Sequence, residues 1–134
     1  MRRKQIKQTR SLPSEFPNGT FLKTEKGHFY VRSNVKRLRF ITDRVLASWS
    51  PLRIVEASEA DPVVEKMKIW SKMVFRDGSL LYSHANGKMY LISDGKRRPI
   101  TNPFWLEHLG ASLKDAVWVS QDEINLHEEG EPLT

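Results

Sequence analysis

Cysteine is absent from this 134-residue chain, which excludes disulfides, thiolate zinc sites and a cysteine nucleophile. Long apolar runs are absent as well, because no stretch approaches the roughly 20 residues of a membrane-spanning helix. The first sixteen residues contain no apolar core of the kind that a signal peptide requires. We therefore expect stability from packing or assembly, no membrane span and no export by a signal peptide.

Residue patterns that indicate catalysis are also missing. The chain has no nucleophile elbow and no GxxxxGK[ST] phosphate loop, and every glycine can be assigned to a hairpin or a helix end. The histidines show no metal-ligand spacing, so each is interpreted as a satisfied or solvent-facing side chain. They are His28, His84, His108 and His127. We predict that the protein is not an enzyme and needs no metal or other cofactor.

Charge is unevenly distributed along the chain, which has a formal net charge of +6. Residues 1–10 contain five basic residues and no acidic one: Arg2, Arg3, Lys4, Lys7 and Arg10. Such an arm cannot form a core, so we predict that it binds an acidic surface of a partner. The alternative is a solvated tail that aids solubility. Residues 122–134 contain five acidic residues and no Lys or Arg, which predicts an acidic tail.

A repeat of roughly 60 residues is visible when residues 16–42 are aligned with residues 75–101. The offset stays within 59 to 62 and changes only where turns are expected. Matching pairs include Phe16/Phe75, Gly19/Gly78, Leu22/Leu81, Gly27/Gly87, Tyr30/Tyr90, Ser33/Ser93, Arg39/Arg98, Ile41/Ile100, Thr42/Thr101 and Ser58/Ser120. We divide the chain into a basic arm (1–15), repeat unit 1 (16–61), a connector (62–74), repeat unit 2 (75–125) and an acidic tail (126–134).

Turn residues predict the same elements in both units. Asp94-Gly95 suits a tight type I′ hairpin because both residues tolerate positive φ. Its counterpart is Asn34-Val35, where a looser, bulged turn is expected because valine resists positive φ. The predicted fold class is α+β and mostly β, with two tandem repeats. Each repeat is a three-stranded meander, a short helix and one further strand.

Helix signals follow each hairpin. Asn102-Pro103 predicts a helix start and Gly110 its end, and Asp43 is the expected cap of the matching helix in unit 1. Residues 62–74 fit both helical and strand periods, and we favour a short helix at about 62–67 that becomes extended.

Aromatic residues are the expected contacts between the two units, because roughly 60 residues bury too little apolar surface to be stable alone. The candidates are Tyr30, Trp49, Tyr90, Trp105 and Trp118. We interpret the tryptophans as core anchors, with a ligand-stacking platform as the alternative.

Both hairpins carry basic clusters, at residues 36–39 and 96–98. The predicted partner-binding residues there are Arg37, Arg39, Lys96, Arg97 and Arg98. Two alternatives stay open: the clusters contact nucleic-acid phosphates, or they are solvated side chains that cover aromatic surface or pair with carboxylates.

Unit 2 contains the motifs DGSL (77–80), MYLI (89–92), DGKRRPI (94–100), LG (109–110) and VWVSQDEI (117–124). In these motifs it resembles a repeat found in bacterial surface and exported proteins and in some tailed-phage proteins. The pattern of that repeat is GTL, VYLI-NGK-RPI, LG and VVTVS-DAEL. Unit 1 matches more weakly. The resemblance implies an accessory module without an established reaction.

The resemblance and the missing export signal together favour a virion protein, because host lysis releases virions without a signal peptide. We predict a non-enzymatic structural or adaptor protein of a tailed-phage particle, present in multiple copies and bound to other virion proteins. It would act in head decoration, the neck or tail attachment. The alternatives are a nucleic-acid-binding protein that uses the arm and hairpins, and a glycan- or wall-binding module that uses Trp or Tyr faces.

Overall fold

The computed structural model of the chain describes residues 15–33 and 35–134. The basic residues of the predicted arm, Arg2, Arg3, Lys4, Lys7 and Arg10, lie outside the described residues. Within the described part, nine strands and four short α-helices give an α+β fold that is mostly β, as predicted.

Sheet 1 has five strands in the order β4-β1-β2-β3-β5. Its elements are β1 (Phe21–Thr24), β2 (Gly27–Ser33), β3 (Lys36–Arg39), α1 (Asp43–Ser48), β4 (Val55–Glu56), α2 (Pro62–Lys66) and β5 (Lys68–Lys72). The first three strands form an antiparallel meander, β4 runs parallel to β1, and β5 runs parallel to β3.

Sheet 2 has four strands in the order β8-β7-β6-β9. Its elements are β6 (Leu80–Ser83), β7 (Met89–Ser93), β8 (Lys96–Pro99), α3 (Phe104–His108), a 3₁₀ helix (Leu113–Asp115), β9 (Val117–Val119) and α4 (Gln121–Ile124). The meander is again antiparallel, and β9 runs parallel to β6. The two sheets therefore share one connection pattern, which fits the proposed duplication.

The segments expected to be a connector and an acidic tail each lie along the third strand of a meander. Residues 62–74 contain α2 and β5, so the predicted change from helix to extended chain is confirmed. Residues 126–134 lie along β8, with parallel bridges at Glu129 and Leu133. Met73 and Leu133 are buried, and their amides donate to the carbonyl oxygens of Arg39 and Pro99 at 2.7 Å each. Residues 126–134 thus complete the second half of the fold.

Buried His127 attaches this last segment to the start of the second half. Its Nε2 accepts a hydrogen bond from the Phe75 amide at 3.1 Å, and its Nδ1 lies 2.8 Å from the Gly95 carbonyl oxygen. An amide can only donate, so Nε2 carries no proton and Nδ1 is the donor to Gly95. Burial lowers the pKa of His127 below its ordinary value of 6.5. The ring is therefore a neutral structural link.

The registers of β2 and β7 correct two pairings made from the sequence: Tyr30/Tyr90, and Arg39/Arg98, because Arg39 lies opposite Phe29 as Pro99 lies opposite Tyr90. The carbonyl oxygens of Val31 and Ile92 each accept the amide of the first turn glycine of their own half, at 2.8 and 2.7 Å. Val31 and Ile92 therefore hold equivalent positions. Two residues earlier in each strand the equivalent residues are Phe29 and Tyr90, both buried. Tyr90 thus corresponds to Phe29, and the alignment with Tyr30 was wrong by one residue.

Two apolar clusters form the core. The smaller one lies between one face of sheet 1 and α2, and consists of Leu22, Phe29, Val31, Val64 and Met67. The larger one joins the opposite face of sheet 1 to sheet 2 and consists of Leu38, Phe40, Val45, Leu46, Met73, Phe75, Leu81, Tyr90, Ile92, Val119 and Ile124. Sheet 1 is therefore covered on both faces, and the two halves share one core.

The aromatic residues expected between the halves are only partly there. Tyr90 belongs to the larger cluster, and Tyr30 and Trp49 pack against it. Trp105 is half-buried outside this cluster, where its indole donates to the Thr134 carbonyl oxygen at 3.0 Å. Trp118 is 61% exposed, so its interpretation as a core anchor was wrong.

The predicted tight turn is confirmed by its backbone angles, because Asp94 and Gly95 have φ of 52° and 76°. In unit 1 the expected irregularity is also present, as a register shift between Val31 and Ser33. Asn34 itself lies outside the described residues.

The helix caps are predicted to within one residue. The Asn102 side chain accepts the Phe104 amide at 3.0 Å, as expected for a helix start. In unit 1 the cap is Thr42, whose hydroxyl accepts the Val45 amide at 3.4 Å, and Asp43 is already the first helical residue.

Candidate partner-binding site

Arg37, predicted to bind a partner, is 3% exposed and lies inside the protein. Its Nη1 and Nη2 donate to the two carboxylate oxygens of Glu59 at 2.6 and 2.7 Å, and its Nε donates to the Met67 carbonyl oxygen at 3.2 Å. The guanidinium lies 4.5 Å from the centre of the Phe29 ring. The Arg37 hydrogen bonds lower the pKa of Glu59 to about 2. The prediction for Arg37 is corrected, because α2 and the segment before it cover this face of β3.

Arg97 occupies the corresponding place in β8. Its Nη1 donates to the carbonyl oxygens of Ile124, at 3.2 Å, and of His127. Its guanidinium lies 6.0 Å from the Tyr90 ring centre, and its Nε lies 3.8 Å from a Glu129 carboxylate oxygen. A planar guanidinium presents several donors at once, so it can join a strand to two carbonyls of the following segment. Half-buried Arg97 therefore has a structural role, and its binding to a partner stays a prediction.

The other three hairpin residues reach the surface to different degrees. Arg39 is exposed, and its Nη2 donates to the Lys26 carbonyl oxygen at 3.0 Å. Arg98 is half-buried and donates from Nε to the Glu131 carbonyl oxygen at 2.8 Å, whereas Lys96 is exposed. The two basic clusters thus do not present all of their predicted partner-binding residues to solvent.

An ion pair between the halves was missed by the sequence reasoning. Buried Glu123 of α4 accepts hydrogen bonds from Arg44 Nη2 at 2.8 Å, from the Thr42 hydroxyl at 2.6 Å and from the Ser120 amide at 2.8 Å. Burial alone raises the pKa of Glu123, but these bonds outweigh burial and lower the pKa to about 2. The pattern Ser-x-x-Glu at 120–123 is a capping box, so the sequence did contain a signal for the local part of this arrangement.

The second half carries three neighbouring rings at its surface, which we call the aromatic surface and define as Tyr82, His84 and Trp118. Tyr82 of β6 lies directly across from Trp118 of β9, with ring centres 4.9 Å apart. His84 stacks on Trp118 at 5.8 Å with an interplanar angle of 28°. Both His84 and Trp118 are exposed, and Trp118 keeps more than half of its surface accessible to solvent.

The corresponding place in sheet 1 shows that the fold itself does not require aromatic rings here. Leu22 pairs with Val55 as Leu81 pairs with Val117, and the next pair in sheet 1 is Lys23 and Glu56. Both of these charged residues are exposed. Two charged side chains thus satisfy the same strand pairing that Tyr82 and Trp118 make in sheet 2.

A second exposed apolar feature is α3. In α1 the side chains of Val45 and Leu46 are buried, whereas α3 has no buried residue. Phe104, in the first turn of α3, is 74% exposed, and Leu109 and Leu113 after it are exposed too. A shallow cavity of about 240 Å³ is lined by Asn102, Phe104, Trp105 and His108.

Among residues 15–33 and 35–134, no group of three or more His, Asp or Glu side chains is arranged to hold a metal ion. None of the described helices combines the length and apolarity that crossing a bilayer requires. No protein-family model, curated protein sequence or solved structure matches the chain. The resemblance of unit 2 to a repeat of surface and phage proteins therefore stays a prediction.

Proposed function

We propose that the protein is a non-enzymatic structural or adaptor protein of a tailed-phage particle, and that it binds another virion protein through the aromatic surface. The observation that supports this most is the exchange of the Lys23 and Glu56 pair for Tyr82 and Trp118 at the same place in the two sheets. Exposed aromatic rings cost solubility, and a position that accepts charges does not need them for folding.

The chemistry of the aromatic surface suits a protein partner. Tryptophan and tyrosine are enriched among the residues that dominate binding energy at protein interfaces. β9 is also the outer strand of sheet 2, so its far edge offers backbone donors and acceptors to a strand of the partner. Trp118 stands on that strand and would be the central contact.

Incorporation into particles tests this proposal. A phage that carries the gene with Trp118→Ala should contain at least about 10-fold less of the protein in purified particles, because a central interface aromatic contributes about 2 kcal/mol or more. Trp70→Ala is the matched control, since Trp70 is also exposed on an outer strand, in sheet 1. Absence of the wild-type protein from particles, or normal incorporation of the Trp118 variant, would contradict the proposal.

A glycan- or wall-binding module is the second candidate, and the solvent exposure of Trp118 favours it. A sugar ring can lie on such a face while the Tyr82 hydroxyl and the His84 ring supply polar contacts. The test is retention of the protein on insoluble cell-wall polysaccharide, with loss of retention in Trp118→Ala. This candidate would be favoured over the virion proposal by two results together. The wild type but not Trp118→Ala is retained on the polysaccharide, and purified particles contain none of the protein.

Nucleic-acid binding is the remaining alternative, and Arg37 does not contribute to it because it is held inside the protein, while half-buried Arg97 is bonded to the carbonyl oxygens of Ile124 and His127. It still predicts filter binding that weakens steeply with salt and that falls when Arg39 and Arg98 are neutralised. Lack of binding at low salt would eliminate it.

A further inference from the structure

The second half of the chain covers α1. Val45 and Leu46 are buried in the cluster that both halves share. The Ser48 hydroxyl oxygen accepts the amide of Arg76, a residue of the second half, at 3.1 Å. A short helix of this fold is thus stabilised by the half that follows it.

α3 holds the same place in the second half, but none of its residues is buried and Phe104 is 74% exposed. Both helices follow the third strand of a meander, and both end before a residue with positive φ, Ser50 at 45° and Gly110 at 70°. Counted back from Ser50 and Gly110, Phe104 of α3 corresponds to Arg44 of α1. The residue that forms the ion pair between the halves is therefore replaced by an exposed phenylalanine.

The residue at the other end of this ion pair, Glu123, also has an apolar counterpart in the other half. Glu123, which accepts from Arg44, directly precedes buried Ile124 in α4. In α2 of the first half, the residue that directly precedes buried Val64 is Val63, which is half-buried. The first half of a second molecule can be placed on α3 in the same way as the second half of this chain lies on α1. In that arrangement, Phe104 takes the place of Arg44 and Val63 takes the place of Glu123, so these two apolar residues would be in contact.

We propose that α3 of one molecule binds the α2 end of the first half of a second copy, in a head-to-tail contact. Two charges meet inside the chain and two apolar side chains would meet between chains, so both contacts are complementary in kind. A head-to-tail contact uses different surfaces on the two copies, so it leaves one of each surface free and can extend into a ring or a filament. This inference deepens the proposed function by naming one partner of a multi-copy assembly, and its test does not depend on particles.

The wild-type chain should show a mass in sedimentation velocity and multi-angle light scattering that rises with concentration beyond the dimer. Phe104→Glu and Val63→Glu should each reduce association at least about 10-fold, because each buries a charge opposite an apolar residue. An equimolar mixture of the two variants should form a one-to-one dimer and nothing larger. In that dimer, the intact α3 of the Val63 variant meets the intact α2 end of the Phe104 variant.

Two further variants keep this experiment decisive. Leu52→Glu adds a charge at an apolar residue that is 95% exposed, and it should associate like the wild type. Because Val63 is half-buried, Val63→Ser is a milder change that should weaken association in the same direction if circular dichroism shows that Val63→Glu is misfolded. Any of three results would overturn the head-to-tail contact. The wild type stays monomeric at millimolar concentration, a Val63 variant associates normally, or the folded Phe104→Glu and Val63→Glu variants do not combine. None of these results bears on whether Trp118 is needed in particles.

Discussion

Replacement of Glu123 by glutamine tests the ion pair that joins α1 to α4. The carboxylate is buried, and it accepts hydrogen bonds from Arg44, Thr42 and Ser120. Because these bonds hold the pKa at about 2 while the ordinary value is 4.5, the folded state favours the charged form. Glutamine keeps the shape of the side chain but removes the charge.

The size of the effect follows from the two pKa values. One pKa unit is equivalent to about 1.4 kcal/mol, so a fall from 4.5 to about 2 sets an upper limit of about 3 to 4 kcal/mol at neutral pH. The Arg44 side chain is 50% exposed, and screening by water reduces the contribution to about 2 kcal/mol. Since the folded pKa is the lower one, this stability is complete above pH 4.5 and is lost as the pH falls towards 2.

Urea denaturation followed by tryptophan fluorescence measures the difference between wild type and Glu123→Gln at a series of pH values. The variant should be less stable by about 2 kcal/mol at pH 7, and the difference should shrink steadily as the pH is lowered from about 5. Other carboxylates titrate in both proteins and cancel in the difference. Asp122→Asn, an exposed neighbour in the same helix, is the control and should change stability by less than about 0.5 kcal/mol. A difference that does not depend on pH would refute the assigned role of Glu123.

Three other changes test the interior and the turns. Arg37→Lys should lower the unfolding free energy by about 2 to 3 kcal/mol, because lysine cannot hold both Glu59 oxygens and the Met67 carbonyl together, and unchanged urea midpoints would argue against the buried pair. Gly95→Ala should lower the unfolding free energy by about 1 kcal/mol because of the φ of 76° alone, since no atom outside the neighbouring residues lies within 4 Å of the added methyl group. A decrease of more than about 3 kcal/mol in the same assay would mean that this turn is more crowded than described. His127 should show the neutral Nδ1–H form in ¹⁵N NMR spectra at pH 6. Because burial lowers its pKa in the folded state, wild-type stability should fall as the pH drops below 6.5, and titration of His127 at the ordinary pKa would contradict its burial.

The parts of the fold that the sequence predicts are those decided by local backbone chemistry. The hairpin at Asp94-Gly95 depends on two residues that accept positive φ, and the start of α2 depends on the Asp61 cap and the proline after it. Such signals act over three or four residues, so one sequence is enough to read them. The same reasoning placed the caps of α1 and α3 correctly to within one residue.

Local signals of this kind could not predict which basic hairpin residues are buried and which are exposed. Arg37 alternates with Leu38, which is the pattern of a strand with one buried and one solvated face. Its face is dry only because α2 and the segment containing Glu59 close over it, and Glu59 lies 22 residues further along the chain. A basic residue in an alternating strand has the same local signature whether it faces water or a buried carboxylate. Only the long-range placement of α2 separates these cases.

The unequal environments of the two halves indicate where a partner should bind. Sheet 1 is covered by α2 on one face and by the second half on the other. Its outermost strand pair tolerates the charged residues Lys23 and Glu56. Sheet 2 is built with the same connections, but α3 is uncovered and the strand pair equivalent to Lys23 and Glu56 carries Tyr82 and Trp118. If the two halves arose from one ancestral unit, then selection for folding alone would allow charges at both places. The Tyr82–Trp118 pair and the exposed Phe104 are better explained by a surface that is covered in an assembly than by the needs of the isolated chain.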